Sequence, residues 1–258
     1  MIEEAVILAA GYGTRLGGSA EGKPKPLVEI AKGKPVISYI IERLERANVQ
    51  NVYIVTNSYS NNNSKTFYEF FLEWRKNLKT DLAIKILNDG TSRLEDRLGA
   101  VGDLDYVLQQ EKLEGSILVI SGDNLFDFEL VDMMHYFSEN QKDLVALSEE
   151  DDIEKLRGLG IVRTDNRGKI TLFEEKPENP SSTLFANCIY IFTPATLKKI
   201  PVYLSEGNDP DKPGSFIQWL YTREEVFGYI NDGSFIDIGT SEALRKARDE
   251  YKAKDMYG

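Results

Sequence analysis

The chain has almost none of the cysteine and histidine that hold transition metals or staple small domains together. Its 258 residues contain one cysteine, Cys188, and one histidine, His135. A single cysteine excludes an internal disulfide framework and a cysteine-based zinc cluster, and it fits a reducing compartment. A single histidine argues against histidine-based metal sites. Basic residues are also in deficit: 31 lysines and arginines stand against 42 aspartates and glutamates, for a formal charge of −11. General nucleic-acid and anionic-membrane binders carry a basic surplus that displaces counterions from phosphates, so neither a nucleic acid nor a membrane is an expected partner. Any anionic ligand must be held by a local cluster of cations. No apolar run approaches the ~18 residues of a membrane span. The N-terminus runs from Met1 into Glu3 and Glu4 without a signal-peptide pattern, and the expected location is cytoplasmic.

The composition, 41% apolar and 28% charged, is that of an ordinary globular protein. At about one and a half times a usual domain of ~150 residues, the chain reads as one domain over 1–258. In the first half, short β-branched runs alternate with amphipathic stretches, the pattern of βαβ units and a largely parallel sheet. Strands are expected at Ala5–Ala10, Asn51–Thr56, Leu82–Leu87 and Ser116–Ser121. A helix is expected from Pro35, with Ile37, Ile40, Ile41, Leu44 and Ala47 at helical spacing and proline in its first turn; two more are expected at Thr66–Leu78 and Gly102–Gln110. After about residue 143 the runs become hairpin-like: GLGIVRTD, a turn at Asn166-Arg167-Gly168, KITLFEE and LFANCIYIF. These suggest antiparallel strands added to the parallel sheet. Ser205–Gly214 reads as a flexible surface loop, followed by a helix at Ser215–Thr222, short strands in VFGYI and FIDI, and a terminal helix from Ser241.

The first strand runs into Gly11-Tyr12-Gly13-Thr14-Arg15-Leu16-Gly17-Gly18. Open α/β sheets bind ligands at such a turn, where glycines let backbone amides approach phosphate oxygens and Arg15 adds a fork of donors. Two familiar motifs fail here. The dinucleotide fingerprint lacks its third glycine, which is Leu16, and the second strand ends in Asn57 rather than an acid. Gly17–Lys23 fits the start of a P-loop, but Pro24 stands where a magnesium-binding hydroxyl belongs. In Lys23-Pro24-Lys25-Pro26-Leu27, two lysines are held by prolines in what reads as an extended segment near the glycine turn, and restriction of the backbone on both sides of Lys25 suggests that its direction matters.

LAAGYGTRL followed by PKPL resembles the N-terminal signature of the sugar-1-phosphate nucleotidylyltransferases, which comprise glucose-1-phosphate thymidylyl-, uridylyl- and cytidylyltransferases and mannose-1-phosphate guanylyltransferase. The resemblance continues in order. RLGAVGDL (Arg97–Leu104) is similar to the family's L-G-T-A-G-A-L, and SGDN (Ser121–Asn124) to its central aspartate motif. FEEKP (Phe173–Pro177) is similar to its sugar-phosphate motif, and SFIDIGT (Ser234–Thr240) to its late aspartate motif. The resemblance implies an α/β fold with a Rossmann-like mixed, mainly parallel sheet, a nucleotide-binding half at 1–142 and a sugar-phosphate-binding half at 143–258. It also implies a magnesium-dependent transfer of a nucleotidyl group from a nucleoside triphosphate to a sugar 1-phosphate, giving a nucleotide sugar and pyrophosphate.

Two anions meet in that reaction and charge spreads over the α-phosphate, so positioning and neutralisation carry most of the catalysis. On this resemblance Arg15, Lys25 and Asp123 are the expected catalytic residues, and Leu8, Ala10, Gly11, Gly13, Thr14, Arg15, Lys25, Gly99 and Gly102 would surround the nucleotide. Asp123 and Asp237, each at a strand end, would share Mg2+, which favours oxygen ligands; an isolated aspartate after a strand commonly caps a helix instead. Glu175 would accept hydrogen bonds from sugar hydroxyls, Lys176 would neutralise the sugar phosphate, and Asn187 would contact a sugar hydroxyl. Ala186-Asn187-Cys188 departs from the N-A-G often found there, and Asn88–Asp96 is longer than the corresponding family stretch, so base preference does not carry over. Cys188 and His135 lie in apolar patterns and read as structural. Two other functions compete: transfer to a phosphorylated alcohol such as inositol or choline phosphate, and a non-catalytic nucleotide-sugar-binding regulatory domain. FEEKP favours a sugar, and the joint retention of Arg15, Lys25, Asp123 and Asp237 speaks against a purely regulatory domain. Assembly as a homo-oligomer is left open.

Overall fold

A computed structural model of the chain describes residues 2–13, 22–60 and 64–257. The N-terminal half is built from β1 (Glu4–Leu8), β2 (Glu29–Ala31), β3 (Lys34–Pro35), α1 (Val36–Arg46), β4 (Asn51–Thr56), α2 (Phe67–Asn77), β5 (Ala83–Asn88), α3 (Ala100–Glu111), β6 (Ile117–Ser121), β7 (Asn124–Phe126) and α4 (Leu130–Asn140). There follow β8 (Asp143–Glu149), α5 (Ile153–Leu156), β9 (Gly160–Thr164), β10 (Ile170–Glu175), β11 (Leu184–Phe192), α6 (Pro194–Leu197), α7 (Ile200–Ser205), α8 (Pro213–Leu220), β12 (Val226–Ile230), β13 (Phe235–Asp237) and α9 (Ser241–Tyr257).

The sheet is mixed and mainly parallel in its N-terminal half. Its order is β10-β9-β11-β6-β1-β4-β5, and β8 pairs with both β11 and β12. The links β6-β1-β4-β5 are parallel, those of β11 to β6, β8 and β9 are antiparallel, and β12 lies parallel to β8. Alternation along β1 feeds two apolar layers. Ala5 and Ile7 pack with Ile40 and Leu44 of α1, whereas Val6 packs with Val101 and Val107 of α3.

Local chemistry explains the helix boundaries. Pro35 precedes α1 in an extended conformation (φ −74°, ψ 164°) and so stands just outside the helix, not in its first turn. A reciprocal capping box between Thr66 and Glu69 opens α2. Gly99, at φ +78°, opens α3, which begins earlier than its apolar spacing suggests.

The feature that makes a cleft is β11. Its second half pairs with β6, its first half pairs with β9, and β8 runs along its other edge. Register against β8 slips between Ala186 and Tyr190, where Cys188 adopts φ +53°. This bulge lies beside the carboxyl end of β6, so the sheet splits where β1 and β6 deliver their loops. Antiparallel pairing of β13 with β7 closes the same end, with Asp237 opposite Asn124. No helix among the described residues is long and apolar enough to cross a membrane.

Candidate active site

A cleft of about 510 Å³ lies over the split, lined by residues from both halves of the chain. Leu8, Ala10, Gly11 and Gly13 form one wall, as the glycine turn predicts. Thr14 and Arg15 lie outside the described residues. The turn is tied down by Asn57, which is fully buried and whose Nδ2 donates to the Ala10 carbonyl at 2.5 Å. The loss of an acid at the end of β4 is thus the gain of a brace.

Lys25 starts a tight 3-10 turn, Lys25–Leu27, instead of the extended segment its prolines suggest. Pro26 packs over the start of the loop after β6, and a Cβ on Gly122 would lie 3.0 Å from both Pro26 Cγ and the Leu8 carbonyl oxygen. Glycine there allows the turn to seat, leaving Lys25 only 8% exposed in the cleft wall. Its Nζ donates to Asp123 Oδ2 at 3.1 Å, while Ser121 Oγ donates to Oδ1 at 2.6 Å. Burial pushes the Asp123 carboxyl up, but the Lys25 charge and these hydrogen bonds outweigh it and hold the carboxyl below the usual range. The backbone N–H of Ile238 donates to the Asp123 carbonyl at 3.0 Å, which brings Asp237 beside Asp123; both line the cleft. An oxygen-only pair of carboxylates, one kept ionised by its neighbours, matches what magnesium takes from protein when phosphates and waters complete its shell. Among the described residues no cluster of three or more acidic, histidine or cysteine side chains suited to a metal is found.

Glu175 and Lys176 stand across the cleft. Lys176 has φ +52°, so the chain leaves strand geometry at the end of β10 and adjacent side chains reach the same space. The Glu175 N–H donates to Gln218 Oε1 at 2.9 Å, and its carboxylate lies under the start of α8, where a Cβ on Gly214 would come within 1.9 Å of Oε2. Burial raises the Glu175 carboxyl, against the opposing charges of Lys176 and Lys212. Lys212 also lines the cleft and is a cation the sequence reading did not single out. It sits in the loop expected to be mobile surface; that loop is instead fastened by Tyr203, whose hydroxyl donates to the Asp209 carbonyl at 2.7 Å, and by Val101, whose N–H donates to the Pro210 carbonyl at 2.8 Å.

Four expectations do not fit their placement. Asn187 is fully buried and does not line the cleft: its Nδ2 donates to Ser148 Oγ at 2.9 Å, because the β11 bulge turns it into the interior. The same bulge turns Cys188 into the cleft wall, although its apolar surroundings read as core, and burial pushes its thiol up to about 12. Gly102 also lies off the cleft, against Leu98 within α3. Gly99 lines the cleft, but its missing side chain serves the backbone of Pro210, whose carbonyl oxygen a Cβ would meet at 2.5 Å. His135, read as structural from its apolar neighbours, is instead exposed on α4, because Met133, Met134 and Phe137 take the buried side of the helix.

The sequence profile of the nucleotidyl transferase family matches residues 4–254. The chain belongs to that family. Solved structures agree on the fold at low sequence identity. A UDP-glucose pyrophosphorylase complexed with UDP-glucose superposes with a TM-score of 0.79 at 22% identity, covering 98% of this chain and 100% of that one. A protein assigned as a glucose-1-phosphate thymidylyltransferase from Bacillus anthracis, in complex with sucrose, gives 0.78 at 20% identity, covering 96% and 94%. A UTP-bound UGPase from Acinetobacter baumannii gives 0.77 at 20%, covering 97% and 93%. The family suggested by the ordered motifs and the mixed, mainly parallel fold are both borne out.

Proposed function

We propose that this nucleotidyl transferase joins a nucleoside triphosphate to a sugar 1-phosphate, with magnesium, releasing pyrophosphate. The observation that carries the reading is the position of the Lys25–Asp123 pair: it shares one cleft with the glycine turn and with Glu175, Lys176 and Lys212. A triphosphate against the turn and a phosphate against the two lysines would meet at that pair. An oxygen of the sugar phosphate attacks the α-phosphorus, a new P–O bond forms, and the bond to pyrophosphate breaks with its electrons on the leaving oxygen.

Lys25 offsets charge at the α-phosphate, a contact of the kind whose removal costs ~100-fold to ~1,000-fold. Arg15 is expected beside the triphosphate. Lys176 and Lys212 neutralise the acceptor phosphate, and Glu175 accepts hydrogen bonds from ring hydroxyls, which favours a sugar over choline phosphate. Magnesium, held by Asp123 and Asp237, would supply Lewis-acid neutralisation of triphosphate oxygens.

Pyrophosphate release across four nucleoside triphosphates and a panel of sugar 1-phosphates, inositol phosphate and choline phosphate tests the reading. The expected result is release only with a triphosphate and a sugar 1-phosphate together, lost with chelator and restored by magnesium. Asp123→Asn and Asp237→Asn should each raise the magnesium concentration that release requires. Release with choline phosphate alone, or metal dependence unchanged in both variants, would overturn it.

A further inference from the structure

Two carboxyls at the nucleotide end of the cleft take no part in this chemistry. Asp89 follows β5, Asp103 lies in the first turn of α3, and both line the cleft with Tyr12, Gly99 and Ala100. Asp103 is 5% exposed and its Oδ1 has no hydrogen-bond partner. Asp89 is fixed: its Oδ1 accepts from Thr91 N at 2.7 Å and Thr91 Oγ1 at 2.9 Å, and Thr91 Oγ1 accepts from the Tyr12 hydroxyl at 2.8 Å. The pair is thereby joined to the glycine turn.

Both acids occur where this chain departs from the family pattern. RLGAVGDL places Asp103 where L-G-T-A-G-A-L has its last alanine, and Asp89 stands in the longer NDGTSRLED segment. Alanine would fill the α3 position without the cost of a buried carboxyl. Two such departures meeting at one wall of the cleft mark a site built for a ligand with hydrogen-bonding edges. Burial, with the nearby Asp89 and Asp211 charges, raises the Asp103 carboxyl well above its ordinary range. The other charged groups of this wall, Arg97 and Asp211, pair with each other at 3.2 Å.

We propose that Asp89 and Asp103 read the nucleobase, with the unpartnered Asp103 Oδ1 and the Asp89 carboxylate, fixed beside it, meeting hydrogen-bonding groups on the edge of the base. This rests on the nucleotide reading above and names its specificity element. Sites that hydrogen-bond a ligand edge discriminate strongly against edges that leave a partner unmet.

The test is equilibrium titration of the four ribonucleoside triphosphates with magnesium, without acceptor, into the wild type, Asp103→Ala, Asp103→Asn and Asp89→Asn, with thermal melts to confirm folding. The wild type should prefer one base by about tenfold or more. Asp103→Ala should compress that preference to within about threefold, and the two asparagine variants should reorder it. Equal binding of all four triphosphates by the wild type, or unchanged ranking in the folded variants, would overturn the inference while leaving the reaction intact. A wild type that binds no triphosphate would overturn the reaction and the inference with it.

Discussion

Lys25 is an amine in the wall of a cleft, and its partner there is Asp123, 3.1 Å away. Removing the amine takes a cation from the proposed reaction centre and also leaves a carboxylate short of a partner, which costs about 1–3 kcal/mol at a buried site. Lys25→Ala should therefore lose ~100-fold to ~1,000-fold in turnover and melt a few degrees lower, with an unchanged circular dichroism spectrum. Near-normal turnover in the folded variant would contradict its role. Asp103 makes a separate prediction. Its carboxyl is raised in the folded state, so the stability that its protonation contributes is present in acid and is lost as pH rises through the folded value. Asp103→Asn should thus melt close to the wild type near pH 4 and several degrees above it at pH 8, since about 1 kcal/mol corresponds to about 2–4 °C in a chain of this size. A melting difference independent of pH would contradict it. Lys25 was legible in the sequence because prolines flank it, whereas Asp123, Glu175 and Lys176 were legible through the resemblance of their motifs, in order, to those of the family. Lys212 and Cys188 were not, because a folded-back loop and a bulge put them in the cleft.

The elements that shape the cleft can be separated by glycine. At Gly99 the residue has φ +78° and a Cβ would strike backbone, the Pro210 carbonyl oxygen at 2.5 Å. At Gly214 the Cβ would strike only the end of a side chain, Glu175 Oε2. Gly99→Ala should cost stability, about 1–3 kcal/mol, by displacing the loop between α7 and α8. Gly214→Ala should melt near the wild type yet raise the KM for the sugar phosphate severalfold, with triphosphate affinity unchanged, because only the acceptor carboxylate moves. Melts and separate titrations of the two substrates check both, and the reverse pattern would show that Glu175 faces another ligand. Helices with clear spacing and strands with clear runs were legible. The pattern does not single out β8, six of whose seven residues are buried, because burial on both faces removes the alternation that marks a strand.

Across the whole molecule, a chain of formal charge −11 that is to take up two anions has to place its few cleft cations well, and among the described residues Lys25, Lys176 and Lys212 stand at the cleft between acidic neighbours. Identity to the compared structures is only 20–22%, yet the fold extends over nearly the full chain. The recognisable motifs sit after β1, at the start of α3, after β6, at the end of β10 and in β13, and each has described residues that line the cleft. The helices and strands between them need only keep their apolar period. This is why the family was readable while Asp89 and Asp103, which lie outside the shared pattern, acquired meaning only from their meeting in space.

The central claim is that a bond forms at the α-phosphorus of the triphosphate. Phosphorus NMR of enzyme, magnesium, the preferred triphosphate and a sugar 1-phosphate, followed through turnover, tests it most directly. The account predicts that the sugar-phosphate monoester signal is replaced by the coupled doublets of a sugar nucleoside diphosphate, with one pyrophosphate per product. Release of inorganic phosphate with a nucleoside diphosphate, or pyrophosphate accompanied by free nucleoside monophosphate and intact sugar phosphate, would contradict it.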